Sequence, residues 1–161
     1  MSPHLSPLEA ETLSALWFDL HAAERFSICS NELHYLQSLA FVLDDDLTSF
    51  FLLKKLKLAD QFSAASIPRD VAVLNSCVEF RSADGPSQFC QLTHCSRHQP
   101  AYALSVDSRL GAGLFGLRAG QSILWPDEDG LLRELHLLRA DNRPGIDVLL
   151  TGLPSAAEFR S

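Results

Sequence analysis

Four residues within one run of nine, Cys90, His94, Cys95 and His98, have the side chains that bind zinc, in the spacing C-x3-H-C-x2-H. Zinc needs ligands converging on a tetrahedron, and they normally come as pairs from two separated knuckles. Here all four lie in a stretch that reads as a strand, whose alternation sends Cys90 and His94 to one face and Cys95 to the other. The expectation is half-buried cysteines with surface histidines and no metal site. Asp44, Asp45 and Asp46 are the second candidate, because clustered carboxylates are hard donors suited to magnesium. Their position argues otherwise. A symmetric hairpin over residues 8–62 would turn near residue 35, and three residues after Asp44 comes Leu47 instead of a second acid. The acids read as a solvated helix N-terminus, stabilised by the helix dipole. G-x-S-x-G, P-loop and H-E-x-x-H motifs are absent. His21 and His34 read as surface residues, so neither a catalytic residue nor a cofactor is expected.

The third candidate is structural chemistry. Gly111, Gly113 and Gly116 recur on nearly one side of a short helix. Glycine costs about 1 kcal/mol in a helix interior, so such a segment forms only where something approaches it closely. That neighbour is a sheet, a partner, or both. On the partner reading, Leu114 or Phe115 faces outward together with Arg109 and Arg118.

The elements that must position these residues divide into two periodicities. Over residues 8–62 the pattern is helical. Leu13, Leu16, Trp17 and Leu20 share one face. Leu33, Leu36, Ala40, Leu43, Leu47 and Phe50 repeat every three or four residues. Ser30 or Asn31 suits the cap of the second helix, and Arg25–Ser30 is short enough to close an antiparallel hairpin. A break near Asp44–Asp46 would give a third helix from Leu47 to Phe62, with Lys54, Lys55 and Lys57 toward its end. These helices are apolar over more than one stripe. They should pack as a bundle, against the rest of the chain, or against another copy of it.

Ser63–Pro68 reads as a linker, and the period then changes to that of strands. Strand-like runs cover Val71–Val73, Val78–Phe80, Gln88–Cys95, Tyr102–Val106, Ser122–Trp125 and Leu131–Leu138, with turns at Asp84-Gly85-Pro86 and Pro126–Gly130. The expected organisation is a helical domain and linker over 1–66 and a sheet domain over 67–161. The fold class is α+β: a helical hairpin or small bundle, then an antiparallel sheet with one short helix.

With 161 residues and a net charge of −7, the chain is a poor candidate for strong direct nucleic-acid binding. The acids concentrate early: nine against four bases over residues 1–66, and eleven against nine over 67–161, where every base is Arg. An Arg-decorated surface of mixed sign suits a protein partner. No run of eighteen apolar residues suggests a membrane span, and the first residues lack the basic start and apolar core of a secretory signal. A cytoplasmic location is expected.

Two stretches resemble a known family. Ile67-Pro-Arg-Asp-Val-Ala-Val-Leu-Asn-Ser-Cys-Val-Glu-Phe80 is similar to I-P-x-D-V-V-T-M-N-S-x-V-x-F, and Ser108-Arg-Leu-Gly-Ala-Gly-Leu-Phe-Gly-Leu-Arg-Ala-Gly-Gln-Ser-Ile-Leu-Trp125 to S-P-x-G-x-A-L-L-G-x-x-x-G-D-x-I-x-W. Both belong to the C-terminal domain of the GreA/GreB transcript-cleavage factors, and the match is nearest their Rnk-like branch. The resemblance spans about residues 67–144. It implies an FKBP-like half-barrel without isomerase activity that binds core RNA polymerase at the rim of its secondary channel. It further implies that the chain competes with cleavage factors and does not stimulate cleavage. The contact residues it implies are Ser108, Arg109, Gly111, Leu114, Phe115, Gly116 and Arg118. Two positions depart from the pattern: Arg109 stands where the family has proline, and Gln121 where it has aspartate. The other reading is an interaction module of the same fold with a different partner, assembling through its apolar helices.

Overall fold

In the computed structural model, which describes residues 6–94 and 102–144, helix α1 spans Pro7–Leu20. Ser6 starts it with a capping box: its hydroxyl accepts from the Glu9 amide, and the Glu9 carboxylate accepts from the Ser6 amide, each at 3.2 Å. Strand β1 (Phe26–Cys29) runs directly into α2 (Ser30–Val42). The helix therefore begins at Ser30, and Cys29 holds the cap position without a side-chain hydrogen bond. Neither expected cap, Ser30 nor Asn31, occupies it. Helix α3 (Asp46–Lys57) is capped by Asp45, which accepts from the Leu47 amide.

The third helix ends five residues earlier than expected, because Ala59–Phe62 is strand β2, paired in parallel with β1. That pairing joins Phe26 to Ala59, a contact distant along the chain that no local periodicity reports. The helical part is thus three helices around a two-stranded ribbon. The face of α1 that is buried also differs from expectation. Ala10, Ser14, Trp17 and His21 point inward, while Leu16 and Leu20 are 56% and 66% exposed.

After the hydrogen-bonded turn at Ser63–Ser66 comes a five-stranded sheet: β3 (Cys77–Ser82), β4 (Gln88–Thr93), β5 (Ala103–Ser105), β6 (Ser122–Pro126) and β7 (Leu132–Asp141), in the order β5-β4-β3-β7-β6. The short helix α4 (Arg109–Leu114) lies between β5 and β6. Every pairing is antiparallel except β4–β5, which is parallel, so the sheet is mixed, whereas an antiparallel one was expected. Asn75, at φ 71°, and the buried Ser76 form the break before β3: the Val73 amide donates to the Ser76 hydroxyl at 2.8 Å. Residue 66 lies between the three helices with their β1–β2 ribbon and the five-stranded sheet with α4, and one hydrophobic core runs across it. No helix among the described residues is long and apolar enough to cross a membrane.

Candidate partner-binding surface around the short helix

Ser108 initiates α4. Its hydroxyl accepts from the Gly111 amide at 3.0 Å and donates to the Ser105 carbonyl at 2.6 Å. The glycines then let the helix lie against its supports. A Cβ at Gly111 would overlap the Ser105 carbonyl, and one at Gly113 would come within 2.6 Å of the Trp125 ring. Gly116 is glycine for a different reason: its φ is +87°, while the space around it would admit a Cβ. The Gly116 amide donates to the Ala72 carbonyl at 2.7 Å and the Ala72 amide to the Leu117 carbonyl at 2.8 Å. The two stretches that carry the family resemblance are therefore hydrogen-bonded side by side.

The chain's own helical part covers one side of this region. Trp17, Phe51 and Trp125 meet edge to face or tilted, with centroids 5.5–5.7 Å apart. Beside them Lys55 is fully enclosed. Its ammonium donates to the carbonyls of Ala112 and Gly113, at 2.9 and 2.6 Å, and lies over the rings of Phe26 and Trp125. Burial pushes its pKa well below the usual lysine value. The two carbonyls at the end of α4 and the two ring faces offset the loss of hydration. Lys55 is thus a cap on α4 supplied by another element.

Both departures from the family pattern bond residues of the N-terminal part, Arg109 the cap of α3 and Gln121 the turn between α1 and β1. Arg109 forks onto Asp45, with Nη2 at 2.7 Å and Nε at 3.2 Å from Oδ2, and Nη1 donates to the Asp127 carbonyl at 2.6 Å. Gln121 accepts from the Arg118 amide, while its own amide group donates to Glu24 and to the Arg25 carbonyl. An aspartate at position 121 could accept but could not donate. Asp45 feels burial, which raises its pKa, but hydrogen bonds from Thr48 and Arg109 outweigh that and hold it below the usual carboxylate range. Asp45 is therefore committed to capping α3 and pairing Arg109, whereas Asp44 and Asp46 stay exposed.

The seven expected contact residues separate by burial. Leu114 and Phe115 are 0% and 1% exposed, so they belong to the core and do not face a partner as expected. Gly111 and Gly116 are buried backbone positions, and Ser108 and Arg109 are half-buried and internally bonded. Arg118 projects. Its side chain is 62% exposed and its Nε is held by both oxygens of Asp70 at 3.2 Å. Asp70 is the aspartate of the I-P-x-D stretch, which could have marked it in the sequence. Lys55 gave no such signal, because a K-K-x-K run reads as a solvated helix end. His21, expected at the surface, is buried: Nδ1 donates to the Trp17 carbonyl and Nε2 accepts from the Leu124 amide at 3.2 Å. Of the zinc candidates, Cys95 and His98 lie outside the described residues. Cys90 is buried in the sheet, which pushes its thiol up to about 12, and His94 is exposed.

No protein-family model matches the chain. Among solved structures, the prokaryotic transcription elongation factor GreA/GreB from Nitrosomonas europaea superposes with a TM-score of 0.57, covering 73% of this chain and 98% of that one at 23% identity. This gives the fold, helices followed by a Gre-like sheet with its short helix. Among curated proteins, the regulator of nucleoside diphosphate kinase of Escherichia coli K12 is 34% identical over 92 residues, 56% of this chain and 68% of the relative. The Shigella flexneri protein of the same name matches equally. The chain belongs to the family of these regulators, the Rnk family, and it shares the fold of the GreA/GreB factor.

Proposed function

We propose that this protein is a cytoplasmic transcription regulator that binds core RNA polymerase at the rim of the secondary channel. It occupies the surface that cleavage factors use and has no catalytic activity of its own. The observation that carries this reading is the Asp70–Arg118 pair, in which both family stretches contribute a charged side chain to one exposed surface next to α4. The helices support the competing role over the cleaving one. They fold back onto the sheet through Trp17, Lys55 and Asp45, and the acids that could have held magnesium are spent on a cap and an ion pair or lie apart from it.

The test is transcript cleavage in backtracked elongation complexes. The protein alone should leave cleavage at its unstimulated rate, and titrating it against a cleavage factor should suppress stimulation in proportion to occupancy. Robust cleavage that is lost in an Asp44→Ala/Asp45→Ala/Asp46→Ala variant would overturn the reading. A second reading, an interaction module with another partner, rests on Arg109 and Gln121. Both are turned inward where the family has proline and aspartate, which narrows the exposed contact surface. Nucleoside diphosphate kinase, which the relatives' name puts forward, is the partner to use in the parallel arm.

A further inference from the structure

The helical part carries a second surface, separate from α4. Helix α2 presents Leu33, Gln37 and Phe41 at a spacing of four, and α3 presents Phe50, Leu53 and Lys57 at three and four. The two rows face one open groove of about 620 Å3, with Ile28 and Ala59 of the β-ribbon also lining it. Rows at these spacings on two helices leave a slot that a third helix can fill with its own i, i+3, i+4, i+7 side chains. At one end of α2, Phe41 is 77% and Val42 73% exposed, although both are large and apolar.

Charge narrows the occupant. The chain has three lysines, all in the last turn of α3. Lys55 is enclosed, but Lys54 and Lys57 line the groove, where Glu11 is the one carboxylate among the lining residues. The rim is thus net positive on a molecule of net charge −7. We infer that this groove is a docking site for an amphipathic helix of a protein partner, with apolar anchors on one face and carboxylates flanking them toward Lys54 and Lys57. Apolar burial would supply the affinity, and the lysine pair would select the acidic helix and its direction.

The test uses two synthetic 18-residue amphipathic helices, each with leucine at i, i+3, i+4 and i+7. One has glutamate at the flanking positions and the other lysine. Binding to the full chain is read by fluorescence anisotropy. The acidic helix should bind with a Kd below about 100 μM and at least tenfold more tightly than the basic one. Lys54→Glu/Lys57→Glu should reverse that preference, and Phe41→Ser, at an exposed position, should weaken both peptides at least fivefold without lowering Tm. The inference is overturned by equal affinity for the two peptides, by affinity indifferent to either variant, or by no binding at 500 μM. It is also overturned if the chain sediments as a dimer that Phe41→Ser dissociates, because the groove then belongs to a second copy. Polymerase is absent from this assay, so its outcome is independent of the proposed function.

Discussion

Two carboxylates show how differently the fold uses the same chemistry. Asp45 is ionised and held by three donors, the Leu47 amide, the Thr48 hydroxyl and Arg109. Losing an N-cap costs about 1 kcal/mol, and breaking a half-buried ion pair adds to that. Asp45→Ala should therefore destabilise the protein by about 1–3 kcal/mol in urea melts, while Asp44→Ala should stay within about 0.5 kcal/mol. Equal effects would mean that the three acids act only as a solvated cluster. Glu32 is the opposite case. One carboxylate oxygen is buried without a hydrogen bond, and burial raises its pKa to about 7 from 4.5, with the Leu74 amide opposing. Between pH 4.5 and 7 the folded state then holds more protons than the unfolded one, so stability falls as pH rises through that window. The group is partly open to solvent, which limits the loss to about 1–2 kcal/mol. Glu32→Gln should recover that amount at pH 8 and almost none at pH 4.5. An unchanged difference between the two pH values would contradict this assignment.

At the scale of elements, α1 acts mainly by closing a sheet edge. Strand β6 is an edge strand, and its Leu124 uses the groups pointing away from β7 to bond α1: the carbonyl accepts from Trp17 Nε1 and the amide donates to His21. Edge strands left open invite pairing with other chains. His21→Ala should remove the acceptor of the Leu124 amide on this partly exposed edge, which costs about 0.5–1.5 kcal/mol, and should speed its hydrogen exchange relative to amides in β3. Exchange at Leu124 as slow as in the native chain would refute the edge role. This contact also marks how far the sequence could be read. The five strands of the sheet, the α4 glycines and the helix start near Asp45 were legible, because each leaves a local signature of period, size or cap chemistry, whereas the expected run Val71–Val73 forms only an isolated bridge from Val71 to Arg118. The face of α1 was not. Leu13, Leu16, Trp17 and Leu20 satisfy helical spacing, but the strand edge chose the face with donor and acceptor groups, Trp17 and His21. The β1–β2 ribbon and the lysine cap on α4 were hidden for the same reason, since each joins residues more than thirty positions apart. At the candidate site, the glycine stretch and the outward position of Arg118 were legible, whereas the inward turn of Leu114 and Phe115 depended on packing.

Across the whole molecule, the helices and the sheet share one core, and the region around α4 is where they meet. Lys55 caps α4, Arg109 reaches Asp45, and Gln121 reaches Glu24 and Arg25. The family's short-helix motif is thus braced by this chain's own helices on one side and presents Arg118, with Asp70, on the other. An exposed ion pair contributes at most about 1 kcal/mol to folding, so Arg118 can be removed with little effect on stability. At the centre of an interface the same guanidinium is a typical hot spot. The affinity of this chain for core RNA polymerase, measured at physiological salt with and without Arg118→Ala, tests the proposed partner contact most directly. The expected result is saturable binding of the native chain that weakens about 5- to 150-fold in the variant, corresponding to about 1–3 kcal/mol, with Tm unchanged. No binding by the native chain, or equal binding by a folded Arg118→Ala variant, would contradict it.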